Sequence, residues 1–281
     1  MIGFINIDKP EGVSSAYVVN KIKKKLNTPC GHMGTLDPLA TGVLPVAVGK
    51  ATRLFDYLLD KEKVYTAVFE FGYETDTLDK TGTVIETDGK IPTEEGIKSV
   101  LSSLTGIVEQ IPPKYSAKCV NGQRSYDLAR KGVDFTLNPK KVEIKDIKFI
   151  SYDGKSVKLT ITCGGGTYIR SICRDLAYAL NTYATMTYLR REKSGNFCIE
   201  NSVTLDEFLQ SEDPSQYLIA TDTAVNYEKT YINSQQYKKL LDGVFDKYPL
   251  ADGLYRVYAE NSFIGIGSVC QGVLKIKSYC R

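Results

Sequence analysis

The chain has 281 residues, of which 42% are hydrophobic and 25% are charged, so it can bury a sizeable core and is not a disordered chain. The formal net charge of +3 is only a weak indication of a polyanionic partner. No hydrophobic run approaches the roughly 18 residues of a membrane-spanning helix, and residues 1–8 lack the basic region that precedes the apolar part of a signal peptide.

The N-terminal residues predict a strand followed by a helix. Residues 2–7 are largely apolar and end in the turn Lys9-Pro10-Glu11-Gly12. Ser15 is a candidate cap for a helix whose apolar residues recur every four positions on one face, namely Val18, Ile22 and Leu26. Lysines on its other sides fit either a solvated surface or a contact with RNA: Lys21, Lys23, Lys24 and Lys25.

Residues 31–44 are the most informative segment. They contain the only histidine, His32, and a single carboxylate, Asp37, which stands between a leucine and a proline with glycines on both flanks. An Asp before Pro often begins a turn or caps a helix, and a lone histidine is often only structural. Residue chemistry alone therefore leaves open whether Asp37 is a turn residue or a reactive group.

Residues 64–71 predict a half-buried strand, because apolar side chains alternate on one face: Tyr65, Ala67, Phe69 and Phe71. The next segment, 75–82, has the composition of a turn, although its carboxylates Asp76 and Asp79 are also a candidate acid pair. Thr93 is a candidate cap for a helix with an apolar stripe at Ile97, Val100, Leu101 and Leu104.

Residues 110–124, rich in Pro, Lys, Gln and Asn, predict a long basic loop, and a short helix from Ser125 to Lys131 stops at Gly132. The wider segment 111–148 holds nine Lys or Arg and four Asp or Glu. Residues 194–228, in contrast, hold seven acidic residues and no Lys or Arg. The basic segment could therefore face phosphates that the acidic one avoids.

Residues 157–163 alternate as a half-buried strand, which the triple glycine at 164–166 breaks. The helix that follows carries Arg170 at its start, where a cation is disfavoured, and this placement suggests a carboxylate partner. One side of this helix is apolar: Ile169, Ile172, Cys173, Leu176, Ala177 and Leu180.

The pattern changes after about residue 205. A short helix is predicted around 205–209, followed by an acidic linker, and a second helix is predicted around 234–241. Three short strands are predicted around 254–258, 263–268 and 272–277. Because strands and helices occur in mixed order, an α+β fold is favoured over a regular βαβ series.

The seven cysteines are scattered, and no Cys-x-x-Cys pair exists. With one histidine in the chain there is no zinc-ligand cluster either. Reduced thiols fit a cytoplasmic location. We therefore expect a cytoplasmic protein that binds no metal.

Residues 2–205 contain an ordered set of motifs, at 31–44, 63–65, 75–82, 112–118, 122–132, 166–171 and 189–197. Together they resemble the signature of the TruB-type tRNA pseudouridine synthases, which convert the uridine at position 55 of tRNA, in the T-arm loop, to pseudouridine. The tail from Thr230 is similar to the small PUA-like domain of bacterial members.

The resemblance implies the pseudouridine synthase fold, in which helices flank a central mixed, largely antiparallel sheet. The catalytic domain would span residues 1–229, with an RNA-gripping insert at 110–132 and an acidic linker region at 205–229. A small β-rich PUA-like domain would occupy residues 230–281.

The resemblance also implies the site. Asp37 is the essential carboxylate, Arg170 lies beside it and keeps it ionised, and Tyr65 lies against the target base. His32 enters the space that the everted uridine leaves. Further pocket residues are Tyr168, Leu189 and, as a supporting polar contact, Asp79. The residues expected to contact phosphates are Lys114, Lys118, Arg124, Arg130 and Lys131.

The implied reaction oxidises nothing and loses no group, so neither a metal nor an organic cofactor is expected. The implied partner is the T-arm stem-loop of tRNA, and the chain is expected to be a monomer. Two alternatives remain: a synthase acting on another RNA, and an RNA-binding or tRNA-folding protein. Asp37 argues against the latter, because a pure binding module has no use for a buried carboxylate beside a polyanion.

Overall fold

The computed structural model describes residues 1–58, 62–120, 122–243 and 247–280. Its helices are α1 (Ser15–Leu26), α2 (Glu94–Leu101), α3 (Ser125–Arg130), α4 (Ile169–Ala179), α5 (Leu205–Gln210) and α6 (Ser234–Leu241). Short 3₁₀ helices span Gly49–Tyr57, Ser102–Leu104, Ile199–Asn201, Pro214–Tyr217 and Thr221–Ala224.

The strands are β1 (Gly3–Lys9), β2 (Cys30–His32), β3 (Thr41–Val48), β4 (Lys63–Phe71), β5 (Tyr73–Thr75), β6 (Val84–Thr87), β7 (Gly106–Gln110), β8 (Cys119–Val120), β9 (Gln123–Arg124), β10 (Lys140–Tyr152), β11 (Ser156–Cys163), β12 (Ala184–Ser194), β13 (Phe197–Cys198), β14 (Val203–Thr204), β15 (Glu228–Ile232), β16 (Gly253–Ala259), β17 (Ser262–Cys270) and β18 (Val273–Tyr279). Strands and helices alternate irregularly, which confirms the α+β prediction.

The chain forms two compact units. The first comprises Met1–Pro38, Gly42–Leu59 and Gly195–Arg281, and the second comprises Leu39–Thr41 and Asp60–Ser194. The proposed boundary between a catalytic domain, 1–229, and a PUA-like domain, 230–281, stays a prediction.

The first unit contains a sheet in which β1 pairs antiparallel with β3 and parallel with β14. β2 pairs antiparallel with the last three residues of β3, so that His32 lies opposite Val46. Fully buried apolar residues fill the core beneath this sheet, among them Phe4, Val43, Ala47, Leu54 and Val225.

The C-terminal residues of the first unit form a second sheet, in the order β15-β16-β17-β18. Its predicted strands are confirmed, and β15, which pairs parallel with β16, was not predicted. The helix predicted at 234–241 is confirmed as α6, with Asn233 as its cap. This sheet has its own core: Ile232, Leu240, Tyr255, Val257, Ala259, Ile264, Val269 and Leu274.

The second unit is built on the antiparallel sheet β12-β4-β11-β10-β7. Helix α4 packs against β12 and β4. The predicted alternation is confirmed in β4 and β11, because every second side chain of each is buried. Thr93 caps α2 as predicted, and its hydroxyl accepts a hydrogen bond from the backbone N–H of Gly96.

Helix α1 corrects one detail of the prediction. The cap is Ser14, whose hydroxyl accepts from the backbone N–H of Tyr17 at 3.1 Å, and not Ser15. Ser15 is the first helical residue and its side chain is buried. The two serines are adjacent, and the helix begins one residue earlier than the apolar pattern alone suggested.

Within the described residues, no helix is long and apolar enough to cross a membrane.

Candidate active site

The segment with Asp37 connects β2 to β3, and its residues 33–38 have no helix or strand conformation. Asp37 is half-buried, and Leu36 before it is buried. The backbone is held from outside the segment. The hydroxyl of Ser15 accepts from the N–H of Leu36 at 2.8 Å and donates to its carbonyl at 2.9 Å.

The residue after Asp37 is held as well. The carbonyl of Pro38 accepts from the backbone N–H of Gly12 at 2.8 Å and from Nζ of Lys9 at 3.2 Å. Lys9 is fully buried, and its ammonium also donates to the carbonyls of Pro10 and Val13. Sequence reasoning missed Lys9, since a lysine before a turn has the local signature of a surface charge.

Tyr65 and Leu189 share one face of the sheet in the second unit. Tyr65 lies on β4 directly opposite Arg191 of β12, and Leu189 lies opposite Ala67. Side chains that are opposite or diagonal on neighbouring strands point to the same face. Tyr65 is only 6% exposed and Leu189 is buried, so two of the residues that the resemblance assigns to the uridine pocket lie on one buried face.

Tyr168 precedes α4 and is fixed by a side chain that the sequence did not single out. Its backbone N–H donates to Oε1 of Gln110 at 2.8 Å, and Nε2 of Gln110 donates to its carbonyl at 3.1 Å. This pair of bonds ties the end of β7 to the beginning of α4. The position of Arg170, two residues further along, follows from it.

Arg170 contacts a carboxylate, as its placement suggested, and Asp79 is such a partner. The distance from Nη1 of Arg170 to Oδ2 of Asp79 is 3.7 Å, and the two side chains are 5% and 6% exposed. The guanidinium also donates to the carbonyls of Thr77 at 2.9 Å and Tyr115 at 3.0 Å. Its nitrogens therefore join the segments 75–82 and 111–118.

Asp79 is held by its own turn. Its Oδ1 accepts from the hydroxyl of Thr77 at 2.9 Å, from the N–H of Thr81 at 3.0 Å and from the hydroxyl of Thr81. Leu78 adopts φ +62°, a left-handed conformation that non-glycine residues seldom take. The segment is thus the predicted turn, and its second acid serves as the partner of an arginine.

The predicted phosphate-contacting residues lie in a basic segment that is mostly exposed. Lys114, Arg124, Arg130 and Lys131 are exposed and Lys118 is half-buried, while position 121 of this segment lies outside the described residues. The segment is anchored by Tyr115, whose hydroxyl donates to Oδ2 of Asp76 at 3.1 Å. Burial, and secondarily this bond, raise the pKa of Tyr115.

A second charged cluster lies on α4 and β5. The hydroxyl of Tyr178 donates to Oε1 of Glu74 at 3.3 Å, and Arg174 pairs with Asp175 at 2.8 Å. Glu74 is 6% exposed, and burial raises its pKa, which the hydroxyl of Tyr178 and the charge of Arg174 only partly oppose. Burial likewise raises the pKa of Tyr178 to about 12.

The predicted site residues fall in both units. Asp37 and His32 belong to the first unit, and His32 is a half-buried residue of β2. Tyr65, Asp79, Tyr168, Arg170 and Leu189 belong to the second, where Arg170 contacts Asp79 and where Tyr65 and Leu189 share a face. The pairing of Arg170 with Asp37 stays a prediction.

The chain matches two family models. Residues 22–169 match the model described as TruB family pseudouridylate synthase (N terminal domain), and residues 170–226 match the tRNA pseudouridylate synthase B C-terminal domain. Among curated proteins it is 42% identical over 276 residues to the tRNA pseudouridine synthase B of Clostridium kluyveri, covering 95% of each chain. It is 37% identical to the protein of that name from Aquifex aeolicus, covering 99% of each chain.

Solved structures share the fold. A chain in the "Crystal Structure of a Cbf5-Nop10-Gar1 Complex" matches with a TM-score of 0.77 at 25% identity. A chain in the "Structure of H/ACA RNP bound to a substrate RNA containing 2'-deoxyuridine" matches with a TM-score of 0.76 at 23% identity. Each comparison covers 99% of this chain and 85% of the other.

Proposed function

The chain belongs to the TruB family of pseudouridylate synthases, and we propose that it isomerises the uridine at position 55, in the T-arm loop of tRNA, to pseudouridine. The observation that carries the proposal is the extent of the match. The two relatives described above, both named tRNA pseudouridine synthase B, align over 95% or more of both chains. The family model covers residues 22–169, which include the segments with Asp37 and Tyr65.

The reaction breaks the N1–C1′ bond of the uridine, turns the uracil and rejoins it to the ribose through C5. Asp37 is the proposed catalytic carboxylate in two alternative ways. It adds covalently to the ribose or the base, or it stabilises and deprotonates a ribose intermediate. Both require an ionised side chain, and burial under a base would favour the neutral form.

Arg170 is the proposed counter-ion that keeps Asp37 ionised. A guanidinium beside a carboxylate favours the charged form of the carboxylate. Arg170 already contacts the carboxylate of Asp79 and two carbonyls. In this proposal Asp79 and the carbonyls hold the orientation of the guanidinium, and its charge acts on Asp37.

Tyr65 is the proposed partner of the target base. Its ring stacks on the uracil, and its hydroxyl accepts or donates the proton when C5 loses its hydrogen. Leu189, on the same face, and Tyr168 form further walls of the uridine pocket. Apolar walls exclude water, which would otherwise hydrolyse the intermediate in which base and ribose are separated.

The target uridine must leave its stack before it can react, which costs a few kcal/mol. His32 is the proposed residue that enters the vacated space and holds the base out. An imidazole is flat enough to stack between bases, and its nitrogens can bond to neighbouring nucleotides.

The basic segment is the proposed grip on the RNA backbone. Lys114, Lys118, Arg124, Arg130 and Lys131 contact phosphates, so binding weakens as salt rises. The segment recognises the shape of the folded loop, because an A-form stem hides its major-groove edges. We further propose that the protein is a monomer and that it is located in the cytoplasm.

The test is to incubate the purified chain with an unmodified tRNA transcript, without added metal or cofactor, and to map pseudouridine at single-nucleotide resolution. One new pseudouridine at position 55 is expected, and none in a transcript with cytidine there. Modification only at other positions or in other RNAs would favour the alternative of a different RNA substrate. Binding of tRNA without any pseudouridine would favour the alternative of an RNA-binding or tRNA-folding protein.

A further inference from the structure

The hydroxyl of Ser15 makes two hydrogen bonds to the backbone of a single residue, Leu36. Its Oγ accepts from the N–H of Leu36 at 2.8 Å and donates to the carbonyl of the same residue at 2.9 Å. Ser15 is 2% exposed. Ser14 caps α1, so the side chain of Ser15 serves the segment 33–38 and not its own helix.

The contact fixes the peptide plane that carries Asp37. The carbonyl of Leu36 and the N–H and Cα of Asp37 belong to one planar peptide unit. A hydrogen bond that orients this carbonyl therefore orients the Cα of Asp37 as well. Ser15 can act as a rigid support, because α1 is itself anchored by the fully buried Val18 and Ile22.

The other side of Asp37 is restricted by Pro38. A proline disfavours the helical conformation of the residue before it, which restricts the backbone of Asp37. The carbonyl of Pro38 is bonded to the N–H of Gly12 and to Nζ of Lys9. With both neighbours held, the backbone from which the side chain of Asp37 projects has a defined position.

We propose that Ser15 is a positioning residue for the reaction, which fixes the carboxylate of Asp37 through the backbone of Leu36. The inference rests on the proposed function, since it takes Asp37 as the catalytic carboxylate. Displacement of a reacting group by about 1 Å can cost about 100-fold in rate. Loss of both bonds to Leu36 should therefore slow the chemical step without changing the RNA-binding surface.

The experiment compares Ser15→Ala with Ser14→Ala, a control one residue away on the same helix. Ser14→Ala removes the cap and destabilises α1 but leaves the Leu36 contact intact. Three quantities are measured for each variant: the single-turnover rate of pseudouridine formation at saturating enzyme, the Kd for tRNA, and the free energy of unfolding.

For Ser15→Ala we expect the single-turnover rate to fall by about tenfold or more, with the Kd within about twofold of wild type. For Ser14→Ala we expect a rate within about twofold of wild type despite its lower stability. A loss of stability alone would affect both variants, so the difference between their rates measures positioning. A folded Ser15→Ala protein with the wild-type rate would overturn the proposal, and so would an equal loss of rate in both variants.

Ser15→Cys serves if Ser15→Ala does not fold, because it keeps the shape of the side chain while a thiol is only a weak donor and a weak acceptor. We expect a reduced single-turnover rate for it too, and a wild-type rate would overturn the proposal. Asp37→Asn separates the two levels of inference. If Asp37→Asn is inactive and the Ser15 variants are fully active, only the positioning role fails. If Asp37→Asn is active, the proposed function of Asp37 fails.

Discussion

Arg170 and Asp79 form a buried ion pair that joins the beginning of α4 to the turn after β5, with Nη1 and Oδ2 3.7 Å apart. Each of the two charged groups also has hydrogen-bond partners besides the opposite charge. The guanidinium donates to two carbonyls, and the carboxylate accepts from Thr77 and Thr81. Two buried charges with this many bonds define one geometry, which suits a group that must present a charge to a reacting centre.

Arg170→Lys should preserve the charge and slow the reaction. A lysine lacks the planar fork that reaches the carbonyls of Thr77 and Tyr115 together. We expect the single-turnover rate to fall by about 100-fold with little change in the Kd for tRNA. Arg174→Lys, four residues along the same helix, is the control and should retain the wild-type rate. An unchanged rate for Arg170→Lys would contradict the role of the forked guanidinium.

Arg170→Ala should abolish turnover with little loss of tRNA affinity. It also leaves the charge of Asp79 buried without its counter-ion, and breaking a buried pair in this way costs about 3–5 kcal/mol. The free energy of unfolding, measured by urea denaturation, should fall accordingly. Unchanged turnover would refute the proposed pairing of Arg170 with Asp37.

Neutralising the basic segment should change binding and not chemistry. For Arg124→Gln combined with Lys131→Gln, we expect a weaker Kd for tRNA and a smaller dependence of log Kd on log salt. Each lost phosphate contact lowers that slope by about 0.7–0.9. The single-turnover rate at saturating enzyme should be unchanged. Lys98→Gln, an exposed lysine of α2, should leave both Kd and slope as they are, and an unaltered slope in the double variant would exclude these two residues from phosphate contact.

Glu74→Gln should stabilise the protein near neutral pH. Burial raises the pKa of Glu74, so the folded chain holds this proton to a higher pH than the unfolded chain does. The free energy of unfolding then falls as the pH rises from the unfolded value, near 4.5, through the folded one. A glutamine at this position has no proton to lose, so the free energy of unfolding of the variant does not show this decrease with pH.

The measurement for Glu74→Gln is urea denaturation of wild type and variant at about pH 5 and about pH 7.5. The advantage of the variant should be larger at the higher pH. Glu109→Gln, an exposed position on β7, should show no such difference between the two pH values. A Glu74→Gln variant that is destabilised equally at both would show that burial of the charge is not the dominant effect.

Elements with an uninterrupted period could be predicted from the sequence. β4 and β11 alternate regularly over their whole length, and Thr93 precedes a clear helical stripe. β10 and β12 were missed because each contains two register shifts, which break the alternation of apolar and polar residues. β15 was missed because it is only five residues long and lies directly between the acidic stretch and the next helix.

Contacts between distant residues could not be predicted from local patterns. Ser14 and Ser15 are equivalent as cap candidates, and the bonds from Ser15 to Leu36, 21 residues away, distinguish them. The ion pair between Arg170 and Asp79 is a similar case, since the two residues lie 91 positions apart in the sequence. The sequence indicated that an arginine at a helix start needs a carboxylate, and the fold determines which carboxylate it contacts.

The central claim is that an ionised Asp37 carries out the isomerisation. The most direct measurement is single-nucleotide mapping of pseudouridine in tRNA treated with wild type, with Asp37→Asn, and with Asp56→Asn as an exposed control in the same unit. We predict full conversion of position 55 by wild type and Asp56→Asn, and none by Asp37→Asn, which should still bind tRNA. Full conversion of position 55 by Asp37→Asn would contradict the account.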